Sequence, residues 1–341
     1  MLTRSTVALG LVLTFSSTVS HADLVVLQYH HISDQTPAAT STEVGLFRQQ
    51  LATIQGLDLE VVPLDQGTRD ALAGHLDDRQ QVAITFDDAY ESVWETAAPM
   101  LEAHGYPYTI FVNTDAVGKP GYMTWEQLQA AQERGHILIA NHSHDHAHLA
   151  RRPDESLKHW QERAARSLDR AQEILQERLG AGQALFAYPY GEYDEALESM
   201  VAARGWYGYG QQSGAVGATS HPTRLPRFPM ATAYGQPEAL PDKLRSRALP
   251  VDAGDLPDGI VGNNPPVLEM TLPEPLKPRA LNCFASGQGR IDIDHQGQTV
   301  SIQAGEAFDS RRFRYNCTYP VGDGRFYWLS QQWVDLSQPE D

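Results

Sequence analysis

Val82-Ala83-Ile84-Thr85-Phe86-Asp87-Asp88 is a short apolar run that stops abruptly at two adjacent carboxylates. With its preceding Gln81, the run 81–86 has the length and composition of a strand buried inside an α/β sheet, and such strands present their reactive groups at their carboxyl ends. Comparable short runs recur outward in both directions, at 24–28, 108–113, 136–140, 184–188 and 206–209. Amphipathic stretches separate them. The longest covers 153–179, with Leu157, Trp160, Ala164, Leu168, Ala171 and Leu175 at helical spacing and charges elsewhere. Strand and helix in alternation predict an α/β domain with a largely parallel sheet over residues 23–249.

Beyond that domain the chain changes character. Pro250, Gly254, Pro257, Gly259, Gly262, Asn263, Asn264, Pro265 and Pro266 crowd into 250–266, which reads as a linker. Only β-like pieces follow, at 290–294, 299–303, 313–319 and 325–334, so residues 267–341 are expected to form a small β-sandwich-like domain. At the other end, Met1 to Arg4 precede an apolar run over 7–15 and the small-residue site Ser20-His21-Ala22, the layout of a secretory signal over 1–22. That run is too short for a membrane span, and no later stretch is long and apolar enough to be one. Export to the periplasm or the medium is therefore expected. The two cysteines, Cys283 and Cys317, then fall in an oxidising compartment, have no CxxC spacing for a metal, and are expected to pair.

Composition limits the partners. The 341-residue chain is 41% hydrophobic and 20% charged, an ordinary globular balance, with a formal charge of −17. Removing Arg4 with the signal makes it −18, which disfavours nucleic acid and anionic membranes and suits a neutral substrate or a cationic product. The oligomeric state is left open.

Three strand ends carry the chemistry. At the first, one carboxylate of Asp87-Asp88 can bind a metal while the other takes a proton from water, whose pKa falls to about 7 on a metal. Asp88-Ala89-Tyr90-Glu91 also has capping-box form, so Asp88 as a helix cap is the competing reading. At the second, Asn141-His142-Ser143-His144-Asp145-His146 spaces His142 and His146 to share one ion from a helical turn or tight loop, although alternating histidines also fit one polar face of a strand. At the third, Pro189-Tyr190-Gly191 forms a rigid turn that could aim the Tyr190 N–H at a developing oxyanion, or simply turn the chain.

In this order, Thr85-Phe86-Asp87-Asp88, His142-Ser143 with His146, and Pro189-Tyr190-Gly191 resemble the motifs of the NodB-like polysaccharide deacetylases of carbohydrate esterase family four. The resemblance covers about 24–250 and implies a distorted (β/α) barrel. It implies that Asp88, His142 and His146 bind a divalent metal, zinc first and cobalt or nickel as alternatives. It further implies that Asp87 is the general base, that Tyr190 contributes an oxyanion donor, and that acetate is removed from N-acetylglucosamine units of a polysaccharide.

The sequence departs from the family pattern twice. Ala187 stands where an arginine normally opens the third motif, and Arg227 is the candidate replacement. The late Leu-x-His motif that supplies the acid has no equivalent near residue 230, but Leu27-Gln28-Tyr29-His30 looks like that motif moved by circular permutation. This makes His30 the expected general acid, on the opposite side of the reacting carbon from Asp87, with His31 pointing away. The arrangement is similar to exported deacetylases of biofilm poly-β-1,6-N-acetylglucosamine, with chitin oligomers and peptidoglycan as other substrates. An O-acetyl esterase and a non-catalytic carbohydrate-binding protein are the alternative functions. Phe326, Tyr327, Trp328 and Trp333 could stack on sugar, but core packing is the commoner fate of such residues.

Overall fold

A computed structural model describes residues 22–76, 79–180 and 182–340. Apart from Ala22, the expected secretory signal lies outside the described residues. Six parallel strands form the backbone of a nine-stranded sheet: β1 (Leu24–Tyr29), β2 (Gln81–Asp87), β3 (Tyr108–Val112), β4 (Ile137–Asn141), β5 (Leu185–Ala187) and β6 (Tyr207–Tyr209). They lie side by side in chain order. Beyond β1, the short strands β7 (Ala215–Val216, antiparallel) and β8 (Phe228–Pro229, parallel) extend the sheet, which is curled into a half-barrel.

Side-chain alternation explains why the strands read as continuous apolar runs. Val25, Leu27 and Tyr29 of β1, Val82, Ile84 and Phe86 of β2, and Ile110 and Val112 of β3 face the helices in one buried cluster. Leu24, Val26, Ala83, Phe111, Ala140 and Ala187 fill the concave side. On that same concave face, one or two steps further along, stand Gln28 and His30, Thr85 and Asp87, Asn113, and His142. Both faces are therefore covered, and the polar groups of the concave face gather toward the carboxyl ends.

The long helix α1 (Leu157–Leu179) buries Trp160, Ala164, Leu168, Ala171 and Leu175. It begins at Leu157, the first of its apolar positions, four residues after the expected start at 153. Ser156 caps it, accepting from the His159 N–H, and residues 153–156 lie outside the helix. Such a cap stabilises a helix by about 1 kcal/mol. At the other end, Gly180 closes it with φ 61°, a left-handed value that favours glycine.

The C-terminal β region is two sheets around one core. One is five-stranded, containing β9 (Arg247–Ala248), β11 (Asn282–Ala285), β12 (Gly289–Ile291), β15 (Arg312–Gly322) and β16 (Arg325–Val334). The other is three-stranded, containing β10 (Val267–Thr271), β13 (Ile293–Gln296) and β14 (Thr299–Gln303). β15 and β16 form a hairpin through Asp323-Gly324, both at positive φ (53° and 69°), which matches the right-handed strand twist. Residues 250–266, expected to be a linker, are folded onto this region. Leu249 and Val251 are buried in its core, and Ile260 bridges to Val334. β9 itself pairs in parallel with β16, so the chain joins this sheet before 250.

Of the aromatic run, Trp333 is core, and Trp328 packs edge-on against Phe228 of the large sheet with centroids 5.1 Å apart. Cys283 and Cys317 are disulfide-bonded from directly opposed positions on β11 and β15. The bond spans 34 residues, and closing a loop of that size should contribute about 3 to 4 kcal/mol. Urea unfolding with and without reductant should accordingly show a markedly lower midpoint on reduction. An unchanged midpoint would mean that the sheets hold without it.

Candidate active site

The site forms where β1, β2, β3, β4 and β5 end. Asp87 is the last residue of β2 and is fully buried. Its Oδ1 accepts from Arg227 Nη1 at 2.7 Å, and its Oδ2 accepts from Arg227 Nη2 at 2.8 Å and from Gln28 Nε2 at 2.7 Å. Burial alone would push this carboxyl up. The Arg227 guanidinium more than offsets it, with His142 and His30 adding to the effect, and holds Asp87 well below the usual carboxylate range.

Arg227, the candidate replacement for the missing arginine, does reach Asp87, but from outside the strand ends. It immediately precedes β8 and reaches across the concave face, where its Nε donates to the Gly210 carbonyl at 2.8 Å and its Nη1 to Thr85 Oγ1 at 3.2 Å. The fork is thus fixed at several points and presents two parallel donors to one carboxylate, the strong bidentate arrangement. Ala187, at the position where the family arginine stands, contributes its backbone instead: its carbonyl lies 2.8 Å from His142 Nδ1.

Asp88 does not cap a helix. It and Ala89 have positive φ (72° and 54°), a conformation non-glycine residues adopt only where their surroundings impose it. The turn swings the Asp88 carboxylate toward β3 and β4. Asn113 Nδ2 donates to Asp88 Oδ1 at 2.8 Å, and the Tyr90 hydroxyl nearby favours the charged form of the same carboxylate. His146 Nε2 and His142 Nε2 stand 3.3 and 3.7 Å from Asp88 Oδ1. One ligand atom from each of the three residues lies within 4.8 Å of the others.

The histidines come from a tight loop and not from a strand face, because β4 stops at Asn141 and both Ser143 and His146 have positive φ. His144 turns aside to Thr114, 2.8 Å away. A carbonyl can only accept, so the hydrogen bond to Ala187 puts the proton of neutral His142 on Nδ1 and leaves a lone pair on Nε2. That Nε2 is buried with no hydrogen-bond partner, and the Asp88 oxygen 3.7 Å from it is another acceptor. Burial lowers His142 to about 3 and pushes Asp88 up to about 6. A cation among these three acceptors would remove the mismatch, so the residues present fit a divalent metal.

His30 follows β1 directly, with its Nε2 4.0 Å from Asp87 Oδ2. The two groups are neighbours in this conformation. His31 turns to stack on Tyr90 at 3.5 Å. Tyr190 has φ 57°, and its ring lies 4.6 Å from that of His146 and 3.8 Å from that of His148. His148 Nδ1 in turn lies 2.9 Å from Glu192 Oε2. Sequence reasoning passed over Gln28, which shares the β1 face with His30, and Asn113, which follows the strand next to that of Asp87. Tyr90 and Glu192 carried no signal beyond nearness to a motif.

Residues 76–208 match a family model described as polysaccharide deacetylase; His30 and Arg227 lie on either side of the matched span. The chain is 25% identical to a protein of Staphylococcus epidermidis named poly-beta-1,6-N-acetyl-D-glucosamine N-deacetylase, over 53% of this chain and 65% of that protein, just under two thirds of its length. Among solved structures it is similar to IcaB from Ammonifex degensii (TM-score 0.57, 25% identity, 65% of this chain and 96% of that one). It also shares the fold of the Streptococcus pyogenes deacetylase PplD (TM-score 0.56, 20% identity, 62% and 94% covered).

Proposed function

We propose, because residues 76–208 match a polysaccharide deacetylase family model, that this chain removes N-acetyl groups from N-acetylglucosamine units of a polysaccharide, poly-β-1,6-N-acetylglucosamine foremost. The observation that carries this reading is the convergence of Asp88, His142 and His146 on one point beside the buried, ionised Asp87. We assign the three as ligands of a divalent cation, with zinc the proposed ion. Such a cation supplies Lewis acidity and lowers the pKa of water toward about 7.

Asp87 then accepts the proton of the attacking water, and Arg227 with Gln28 keeps that carboxylate ionised and aimed. The Tyr190 N–H faces the developing oxyanion. His30 delivers a proton to the departing amine, which requires its ring to part from Asp87 as the sugar enters. A β domain over 267–341, joined through 250–266 to a catalytic domain over 23–249, and export to the periplasm or medium complete the proposal. The disulfide supports export, and no helix among the described residues is long and apolar enough to cross a membrane.

Acetate release from poly-β-1,6-N-acetylglucosamine, chitin oligomers and peptidoglycan, with and without added zinc, tests it. Acetate should appear with an equal amount of free amine. Acetate without amine would make the enzyme an O-acetyl esterase, and glycan binding with no acetate would make it a binding protein. His30→Ala should fold normally and keep its metal while turnover falls by ~100-fold, the scale for losing a general acid. His31→Ala should lose much less. Turnover of His30→Ala within about threefold of the parent would remove His30 from the mechanism.

A further inference from the structure

Glu192 is a fully buried carboxylate one residue beyond the Pro189–Gly191 turn. It accepts from Arg311 Nε at 2.8 Å and Nη2 at 3.1 Å, and from Arg312 Nη1 at 2.9 Å, besides its contact with His148 Nδ1. Both arginines belong to the C-terminal β region, at the start of β15, more than a hundred residues along the chain. Arg311 is itself tied down, donating from Nη1 to the Gln338 carbonyl at 2.9 Å. A second strap comes from β16, where Gln332 Nε2 donates to the Gly191 carbonyl.

These contacts converge on Tyr190. Its ring is nearly parallel to that of His148, 3° apart in plane, and its other neighbour is the candidate ligand His146. The Arg312 guanidinium stands 5.3 Å from the Tyr190 ring centre. Tyr190 sits at a positive φ that a tyrosine does not hold unaided, so its surroundings must impose it. The turn is gripped at its carbonyl, at its following carboxylate and at its aromatic ring, and the C-terminal region supplies part of each grip.

We infer that the C-terminal β region completes the active site: Arg311 and Arg312 are positioning residues that hold the Tyr190 turn in its working conformation through Glu192 and His148. This rests on the reading of Tyr190 as part of the site, and it gives the β region a task in turnover that does not depend on binding glycan. Neither arginine touches the reacting atoms. Their loss should therefore lower kcat while leaving KM for the polymer nearly unchanged.

The test uses the full-length protein in two independent variants, Arg311→Met/Arg312→Met and Glu192→Gln, so that failure of the first to fold leaves the second decisive. Amide exchange in the peptide spanning 188–193 should quicken by at least about tenfold in either, with exchange in β2 and β4 unchanged. Turnover should fall roughly 10- to 100-fold, the scale of a small misplacement of a reacting group. Cobalt stoichiometry should stay at the parent value. Arg311→Lys/Arg312→Lys should restore part of both losses. Parent-like exchange and kcat in a folded variant overturn the inference. If the parent releases no acetate from any glycan, the proposed function fails, and faster exchange at 188–193 alone still sustains the positioning role.

Discussion

Asp87→Asn is expected to lower acetate release by at least ~100-fold, with polymer binding retained. Asparagine keeps the shape of the side chain and can still accept one bond from Gln28 or Arg227, but it cannot take up a proton. The same change leaves the buried Arg227 charge without its counterion, which typically costs about 3 to 5 kcal/mol. Lost activity and lost stability would then be confounded. Asp87→Asn/Arg227→Met separates them, because removing both charges should recover much of the folding stability and none of the turnover. Recovery of turnover in the double variant would mean that Asp87 is a structural counterion and not the base.

Arg227→Met alone carries a pH signature. Asp87 has a depressed pKa in the folded protein, so its pairing with Arg227 stabilises the fold above the ordinary carboxylate pKa and is lost as pH falls through the folded value. Without Arg227, burial pushes Asp87 upward, so the acid limb of the activity profile should move to higher pH. That shift would not follow from a merely structural role.

Much of the site is legible because strand periodicity and chemistry coincide. The apolar runs end where polar residues begin, and two-residue alternation puts Gln28 with His30 and Thr85 with Asp87 on one face. His142 and His146 could be paired by spacing alone, since short loops keep sequence neighbours close in space. Arg227 was reachable only by asking what replaces the missing arginine at Ala187, and its approach from beside β8 has no local signature. Glu192 with Arg311 and Arg312 lies beyond such reasoning altogether, because contacts across more than a hundred residues leave no periodicity. Over 250–266 proline and glycine mark irregular backbone, and irregular backbone can still bury Val251, which no composition shows. Likewise Pro153, Asp154 and Glu155 lie before the Ser156 cap, although proline and acidic residues are also common in the first turn of a helix.

Loss of any ligand of the candidate metal centre should have an effect as large as loss of Asp87, with a readout independent of turnover. Purified parent protein should contain one divalent ion per chain. His142→Ala should bring that to background and reduce acetate release by ~100- to 1,000-fold, the scale of several kcal/mol of electrostatic stabilisation. The Ala187 carbonyl fixes the His142 tautomer and so leaves the Nε2 lone pair for the ion. Asn113→Ala grades the effect: it removes the donor to Asp88 while leaving all three ligands, and should weaken metal binding by ~10- to 100-fold.

Proton competition gives the sign of the pH dependence. Burial pushes Asp88 up to about 6 in the metal-free protein, so below that pH the ion must displace a proton and its affinity should fall, while above it affinity should level off. Because the ion binds only the folded chain, zinc should also raise the melting temperature of the parent and not of His142→Ala. If metal analysis finds no ion, and zinc, cobalt and nickel change neither melting nor turnover, the three acceptors are held together by something other than a cation.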